Sequence, residues 1–231
     1  PFWMPPSTSC TSSSLQTNPS MPKLSLNASR KTKHTPAGEI PVDWGCVNLG
    51  SLSKVFSGGT PSRKEPKYWN GQIPWIKTGQ VNNGSIYGAE EFITEEGLKR
   101  SSTKLTPAGT ILMALYGQGK TRGQVGLLCV DAAINQACAA IVPNERLDVK
   151  FLLNFLKAKY HQIRSLSNTG NQENLNADIV KSISVPLPPI HEQEKVAEIL
   201  GAWDTALEKL DALIRAKQQQ KKALKIGRAH V

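Results

Sequence analysis

The stretch that decides the fold is Pro186-Leu187-Pro188-Pro189-Ile190-His191-Glu192-Gln193-Glu194, which opens a helical pattern that continues to Lys225. The paired prolines end any earlier element, and the glutamates of the first turn suit the positive end of a helix dipole. At 1.5 Å per residue, about 35 residues span roughly 50 Å, which is longer than most helices of a compact domain. The pattern therefore predicts one long helix over residues 190–225 that projects as an arm.

Apolar residues recur along this predicted helix in alternating steps of four and three. Such a narrow stripe is typical of a helix that packs against another helix, whereas an ordinary helix at the solvent edge carries a broader apolar face. We therefore predict a coiled coil with a partner helix. Its interface would be formed by Val196, Leu200, Trp203, Leu207, Leu210 and Ile214.

Upstream of the helix, the patterns predict a mixed α+β domain over residues 39–189. Short β-like runs, punctuated by Gly, Pro and Asn, occupy residues 46–49, 73–76, 85–87, 110–115, 124–130, 139–142 and 183–185. Helical spacing or N-cap residues predict helices over 94–98, 149–165 and 176–182. The fold class is thus α+β, with one long α-helix at the C-terminal end of the domain.

Both ends of the chain differ in composition from this domain. Residues 1–38 are rich in Ser, Thr, Pro and Asn with few apolar residues, so we expect them to be disordered or spurious. No basic segment followed by an apolar core, as in a secretory signal, occurs there. Residues 226–231 break the helical composition abruptly and match a translated sequencing adapter, so we expect an artefactual tail.

The charge balance favours a polyanionic partner. The chain has 28 Lys and Arg against 18 Asp and Glu, a net charge of +10 that is spread along the sequence. Such an excess is typical of proteins that bind nucleic acid. No apolar run approaches the length of about 18 residues that a membrane helix needs, so nucleic acid is favoured over membrane.

The residues that usually form metal or redox sites are scattered. The cysteines lack the paired spacing of zinc or disulfide motifs, and the histidines do not cluster with cysteines or acids. We therefore expect reduced thiols, no metal site and no catalytic residues in this chain. The residues concerned are Cys10, Cys46, Cys129, Cys138, His34, His161, His191 and His230.

One segment matches the loosest form of a phosphate-binding loop. It runs Ala114-Leu115-Tyr116-Gly117-Gln118-Gly119-Lys120-Thr121 and follows a predicted strand. A phosphate-binding loop must open a helix, whereas this segment leads within a few residues to another predicted strand. We therefore favour a hairpin whose tip displays Tyr116, Gln118, Lys120, Thr121 and Arg122, side chains that suit base edges and phosphates.

Further polar loops suit a DNA interface. Residues 58–71 are basic, with Trp69 and Trp75 expected to pack beneath the loop, and residues 168–175 are rich in amides. A faint nuclease-like signature, Glu65-Pro66-Lys67, carries a proline that is unsuited to a central strand. From all these loops we predict DNA contacts by Arg63, Lys64, Lys67, Lys77, Thr78, Gln80, Tyr116, Gln118, Lys120, Thr121, Arg122, Asn168, Asn171 and Gln172.

Several short motifs occur in an order that resembles the specificity subunit of type I restriction–modification systems. They are Gly58-Gly59-Thr60-Pro61, Tyr68-Trp69, Ile73-Pro74-Trp75, Tyr116-Gly117, Asn135-Gln136, Gly170-Asn171-Gln172 and Pro186-Leu187-Pro188-Pro189-Ile190 with the long helix. The resemblance covers roughly residues 40–225. It implies a non-catalytic subunit with two target-recognition domains, each followed by a helix, and the two helices pack antiparallel.

The resemblance also implies the partners and the location of the protein. Double-stranded DNA is the target, methyltransferase subunits bring S-adenosylmethionine, and restriction subunits bring ATP and Mg²⁺, so this chain holds no cofactor and is cytoplasmic. Only one recognition domain is evident here, so the chain is either a half-subunit that forms a homodimer or a truncated longer protein, and the abrupt change at residue 226 favours the second. The alternatives from other classes are a nucleotide-binding enzyme or nuclease, and a basic scaffold without sequence preference.

Overall fold

The structure is a computed structural model that describes residues 30–117, 119–167 and 174–228, with side chains up to Lys222 in the last helix. The chain divides into residues 1–31 and residues 32–231, and the second unit forms the fold. Its strands are β1 (Thr32–Thr35), β2 (Gly38–Pro41), β3 (Gly45–Asn48), β4 (Ser53–Ser57), β5 (Trp69–Ile76), β6 (Ser85–Ile86), β7 (Glu91–Ile93), β8 (Leu105–Thr106), β9 (Ile111–Ala114), β10 (Val125–Leu128), β11 (Ala132–Ile134), β12 (Cys138–Pro143) and β13 (Ser184–Leu187). Its α-helices are α1 (Leu49–Leu52), α2 (Glu95–Lys99), α3 (Val149–Ala158), α4 (Tyr160–Ser165), α5 (Ala177–Ser182) and α6 (Ile190–Arg228).

Two sheets pack together to form the centre of the domain. The larger has the strand order β4-β12-β9-β10-β6, antiparallel except that β6 runs parallel to β10. The smaller has the order β7-β5-β11-β8, with β11 parallel to β5. Strand β9 is buried on both faces: Ile111 and Met113 join a core covered by helices, and Leu112 and Ala114 join the core that includes Ile76 and Ile134. Burial of both faces explains the continuous apolar run.

All seven predicted strands are confirmed, six of them within two residues, whereas the strand predicted over 73–76 begins earlier, at Trp69. Helix α2 has the expected N-cap, and α5 has one as well. The Thr94 hydroxyl accepts a hydrogen bond from the Gly97 amide at the start of α2, and Asn176 caps α5 in the same way. The single helix predicted over 149–165 is wrong, because the structure breaks it at Lys159 into α3 and α4. Neither glycine nor proline stands at the break, so we attribute it to the tertiary contacts of α4.

The expectation that residues 1–38 are disordered or spurious is wrong for residues 32–38. Strands β1 and β2 form an antiparallel hairpin, with Gly38 at φ 110°. Ala37 and Ile40 are buried, at 5% and 4% exposure. The hairpin escapes sequence analysis because its first strand is polar and pairs with only one neighbour. Residues 1–29 and 229–231 lie outside the described part of the chain, and α6 continues through residues 226–228.

Helix α6 is held to the domain by the buried side chain of Gln193. Its Nε2 donates to the carbonyls of Pro188 and Arg146, at 2.9 and 3.0 Å, and its Oε1 accepts from the Asp148 amide at 2.8 Å. The residue has 0% exposure. Asp148 also caps α3, so one amide joins the first turn of α6 to the start of α3.

The 39 residues of α6 extend far beyond this contact, over about 58 Å. Ala197 is buried and Val196 packs half-buried against the core of its own domain, so the predicted seam begins in effect at Leu200. Every side chain from residue 200 to residue 222, the last described side chain of α6, is exposed. The predicted projecting arm is confirmed. The exposed apolar residues on it are Leu200, Trp203, Leu207, Leu210, Leu213 and Ile214.

Replacement of Gln193 by Glu should destabilise the domain. The substitution preserves the shape of the side chain but removes the Nε2 donor, so the carbonyls of Pro188 and Arg146 lose their partner and a carboxylate enters a buried position. We expect a loss of at least about 2 kcal/mol in the free energy of unfolding. Gln218→Glu on the exposed part of α6 is the control, and thermal unfolding followed by circular dichroism is the measurement. Equal melting temperatures for the two variants would contradict the role of Gln193.

Candidate nucleic-acid interface

Loops from distant parts of the sequence meet at one end of the larger sheet. Strands β4 and β9 end there, and β10 and β12 begin there, so their connecting segments lie side by side. Strands β5 and β11 of the smaller sheet end at the same place. We call this region the loop end; it comprises residues 58–65, 77–83, 115–117, 119–124 and 135–137.

Backbone hydrogen bonds tie these loops to one another. The Gly58 amide donates to the Cys138 carbonyl at 3.2 Å, and the Gly59 amide donates to the Ile134 carbonyl at 2.9 Å. A Cβ on Gly58 would lie 2.0 Å from the Ile134 oxygen, so only glycine permits this approach. The Leu115 amide donates to the Ala137 carbonyl at 2.8 Å. The relative positions of the loops are therefore fixed by the backbone.

Arg63 is held by aromatic rings and a carboxylate. Its guanidinium carbon lies 3.6 Å from the ring centroid of Trp69 and 5.2 Å from that of Trp75. Its Nη1 lies 2.5 Å from Oε2 of Glu91. Both indoles donate to backbone carbonyls of residues 59 and 62, which confirms the prediction that the tryptophans pack beneath the loop. Arg63 thus shapes the loop, and half of its side chain remains exposed.

Two of the predicted DNA-contacting lysines also form ion pairs. Lys67 lies 3.1 Å from Glu96, and Lys77 lies 2.8 Å from Glu90 and 3.1 Å from Glu91. Hydrogen bonds to these carboxylates raise the pKa of both ammonium groups. In contrast, Lys64 and Lys120 are exposed and have no acidic partner among the described residues.

The β9–β10 loop is a hairpin loop, as predicted. Tyr116 and Lys120 are exposed and Thr121 is half-buried. The prediction that Arg122 is displayed at the tip is wrong: it is only 8% exposed, because the turn folds back against α4. No helix begins at Gly119, Lys120 or Thr121, so the segment lacks the helix N-terminus that a phosphate-binding loop requires.

Thr78 and Gln80 shape their own loop. The Thr78 hydroxyl donates to Oδ1 of Asn135 at 3.2 Å. The Gln80 side chain accepts from the Lys77 amide and donates to the Gly88 carbonyl, at 3.2 and 3.3 Å. Both side chains are half-buried, so their predicted role as DNA contacts stays a prediction.

The remaining predicted contacts, Gln118, Asn168, Asn171 and Gln172, lie outside the described residues. The described chain resumes at residue 174, beside the loop end, where the Leu175 amide donates to the Leu115 carbonyl at 3.0 Å. Leu175 itself is buried.

Sequence analysis did not assign Gln136 to the interface. The structure places its exposed side chain at the loop end, in a hydrogen bond with the Thr60 hydroxyl. Its neighbour Asn135 closes the turn by accepting from the Ala137 amide at 3.0 Å. The signal that could have found them was the Asn135-Gln136 motif between two apolar strands, which is a typical turn sequence.

The described residues contain no group of three or more His, Cys, Asp or Glu side chains that could hold a metal ion. Burial raises the pKa of the Cys138 thiol, which lies beneath Thr78, to about 12.

Among the helices of the described part, none is long and apolar enough to cross a membrane.

The comparisons with known proteins identify the family. The family model described as the type I restriction modification DNA specificity domain matches residues 41–220. This chain belongs to that family. The specificity subunit of EcoR124I/EcoR124II from Escherichia coli is 34% identical over 173 residues, and the match covers 72% of this chain and 42% of the relative. The MjaIX specificity subunit of Methanocaldococcus jannaschii is 29% identical over 184 residues, covering 76% of this chain and 41% of the relative.

Solved structures show the same fold. The HsdS subunit from Thermoanaerobacter tengcongensis matches with a TM-score of 0.59 and 18% identity, over 80% of this chain and 42% of that chain. A chain from a structural study of the assembly of the type I system matches with a TM-score of 0.62 and 18% identity, over 80% and 44% of the two chains. The predicted α+β class and the resemblance to the specificity subunit are confirmed. The family is the non-catalytic subunit of these systems, and nothing in the comparisons favours the enzyme alternatives.

The chain spans about two-fifths of the length of the curated relatives that it matches. The matched part contains the specificity domain and most of α6. The second recognition domain and the coiled-coil partner of α6 therefore stay predictions.

The ion pairs around Glu91 predict a pH-dependent contribution to stability. Arg63 first, and then Lys77, lower the pKa of the Glu91 carboxyl below its usual value of 4.5. A lowered folded-state pKa gives stability that is present above pH 4.5 and is lost as the pH falls through the lowered value. Because the pair is partly exposed, Glu91→Gln should cost at most about 1 kcal/mol near pH 7.

The measurement is thermal unfolding of the unmodified chain and of Glu91→Gln between pH 7 and pH 3. We expect the difference in stability to shrink towards pH 3. Glu65→Gln is the control, because Glu65 is exposed and forms no ion pair within the described part of the chain. A difference that is constant or grows as the pH falls would contradict the role assigned to the Arg63–Glu91 pair.

Proposed function

We propose that this chain recognises a specific sequence in double-stranded DNA through the loop end. The observation that carries the proposal is the match of the DNA specificity family over residues 41–220, which include the whole loop end. The exposed cations Lys64 and Lys120, the exposed amide of Gln136 and the ring of Tyr116 supply chemistry for phosphates and base edges. The net charge of +10 would draw the chain to DNA over longer distances.

In this proposal the chain is a non-catalytic part of a larger complex. Methyltransferase subunits would bring S-adenosylmethionine, and restriction subunits would bring ATP and Mg²⁺, all in the cytoplasm. The names of the curated relatives, which are specificity subunits of type I restriction enzymes, support this assignment.

We further propose that the exposed apolar face of α6 packs against the equivalent helix of a second recognition domain. Six large apolar side chains on this face are between 40% and 61% exposed, which is costly for a helix without a partner. The second domain belongs either to the same longer chain or to a second copy of this one.

The charges of α6 favour an antiparallel partner. Residues 190–213 contain six acids and two lysines, whereas residues 214–228 contain six Lys or Arg and no acid. In an antiparallel pair of such helices the acidic half of one lies beside the basic half of the other, whereas a parallel pair places like charges together. The polarity thus agrees with the antiparallel helices that the family resemblance implies.

Selection from a pool of random-sequence duplexes tests the recognition role. The 231-residue chain is mixed with the pool, alone and together with its methyltransferase subunit, and the bound fraction is sequenced. We expect a short enriched motif, which is doubled as an inverted repeat if two copies associate. Binding without enrichment would contradict sequence recognition and favour the basic scaffold.

Single substitutions test the loop end. Lys64→Ala and Lys120→Ala should each weaken binding, by about 1–3 kcal/mol if the side chain pairs with guanine. If the side chain contacts a phosphate, the substitution should reduce the salt slope, which is the slope of the logarithm of affinity against the logarithm of salt concentration, by about one. Lys54→Ala is the charge-matched control, because Lys54 lies beside Val142 at the opposite end of β4. Fluorescence anisotropy over a range of salt concentrations is the measurement. An equal loss in all three variants would leave only the net charge as the cause.

Substitution on α6 tests the helix partner. Leu207→Asp places a charge at the middle of the exposed apolar face and should abolish association of the chain with itself or with a separately supplied second recognition domain. Gln218→Asp, on the same helix, is the control. Sedimentation velocity measures the association, and unchanged association of Leu207→Asp would contradict the proposed interface.

A further inference from the structure

The turn formed by residues 119–124 carries Lys120, which is exposed and has no acidic partner among the described residues. Two of its glycines have positive φ angles, 74° at Gly119 and 84° at Gly123. Glycine backbone is free to adopt many conformations, so the sequence of the turn does not by itself fix where the Lys120 side chain lies. Its position must come from contacts with other elements.

Helix α4 supplies such contacts to two carbonyls of the turn. The Tyr160 hydroxyl donates to the Lys120 carbonyl at 2.6 Å, and Nη1 of Arg164 donates to the Arg122 carbonyl at 2.8 Å. The same Nη1 lies 3.2 Å from the Tyr160 hydroxyl, so the two side chains also hold each other. We call Tyr160 and Arg164 the α4 clamp.

Packing adds to these hydrogen bonds. A Cβ on Gly123 would lie 3.0 Å from Cγ of Arg164 and 3.7 Å from Cδ2 of Tyr160, so the turn lies directly against the clamp. Ile163, between the two clamp residues, is 1% exposed and belongs to the main core. The break at Lys159 lets α4 contact the turn while α3 packs against α6 and the sheet. The clamp is thus connected rigidly to the core of the domain.

We propose that the α4 clamp is a positioning device for sequence discrimination, an inference that rests on the proposed DNA-recognition function. Electrostatic attraction to DNA phosphates does not require a cation in a fixed position, because it depends on the charge at the protein surface. Reading of a base edge requires fixed hydrogen-bond geometry. Loss of the clamp should therefore lower the preference for one sequence over another and leave the general affinity for DNA in place.

The test compares the unmodified chain with Tyr160→Phe and Arg164→Lys. The first variant removes one hydroxyl and keeps the ring, and the second keeps the positive charge but loses the guanidinium fork. Tyr68→Phe is the control, because the Tyr68 hydroxyl has no hydrogen-bond partner among the described residues. Each protein is used in the random-duplex selection, and its affinity is then measured for the motif enriched by the unmodified chain and for an unselected duplex.

We expect the ratio of the two affinities to fall by roughly tenfold in both clamp variants, with one or more positions of the enriched motif becoming degenerate. The affinity for the unselected duplex, its salt slope and the melting temperature should stay close to those of the unmodified chain and of Tyr68→Phe. Hydrogen exchange of the amides of residues 119–124 should become faster in the clamp variants without DNA.

Three results would contradict the inference. An unchanged motif and ratio in both clamp variants would overturn the role of the clamp while leaving the proposed function intact. An equal loss of affinity for all duplexes would show a general contribution to binding or folding instead of discrimination. No enrichment by the unmodified chain would overturn the proposed function itself, and the specificity role of the clamp would fall with it.

Discussion

The buried amide of Gln193 is the constraint on which the arrangement of the molecule depends. It satisfies three backbone groups, two from the segment before α3 and one from the segment before α6. A side-chain amide is suited to this position because it donates and accepts at once, which a carboxylate or an apolar group cannot do. Since α6 is one continuous helix, its direction at Gln193 determines where the exposed apolar face lies relative to the domain. A contact in the first turn thus determines the position of apolar side chains that lie several tens of ångströms further along the helix.

The loop end depends on a different kind of constraint. Its loops approach one another through backbone hydrogen bonds at Gly58 and Gly59. A Cβ on Gly58 would collide with the Ile134 carbonyl, and one on Gly59 would collide with Ser102 and the Thr103 amide. Among the described residues of the loop end, the cations Arg63 and Lys77 are engaged with acids. In the proposed function, specific recognition by a few fixed side chains and a general attraction by net charge would therefore be separable properties of this surface.

Periodicity and capping residues predicted much of the fold. Alternating or continuous apolar runs marked most of the strands of the larger sheet, and the stripe on α6 marked both its length and its exposed face. The break at Lys159 and the hairpin of β1 and β2 escaped prediction, because both depend on tertiary packing instead of local propensity. The family motifs identified the domain but did not indicate the hydrogen bonds of Gln193.

The candidate site was predicted less completely than the fold, for a physical reason. Loop composition shows which side chains have suitable chemistry, but not which of them are already engaged. Lys120 and Arg122 are two residues apart, yet one is exposed and the other is buried against α4. Arg63 and Glu91 form their pair across 28 residues of sequence, and no local pattern encodes that contact.

Hydrogen–deuterium exchange of the chain with and without its selected duplex tests the central claim most directly. The account predicts slower exchange in residues 58–65, 77–83, 119–124 and 135–137, with no change in the exposed part of α6 beyond residue 200. Protection confined to α6 or to the hairpin of β1 and β2, with the loop end unchanged, would contradict the assignment of the loop end as the DNA interface.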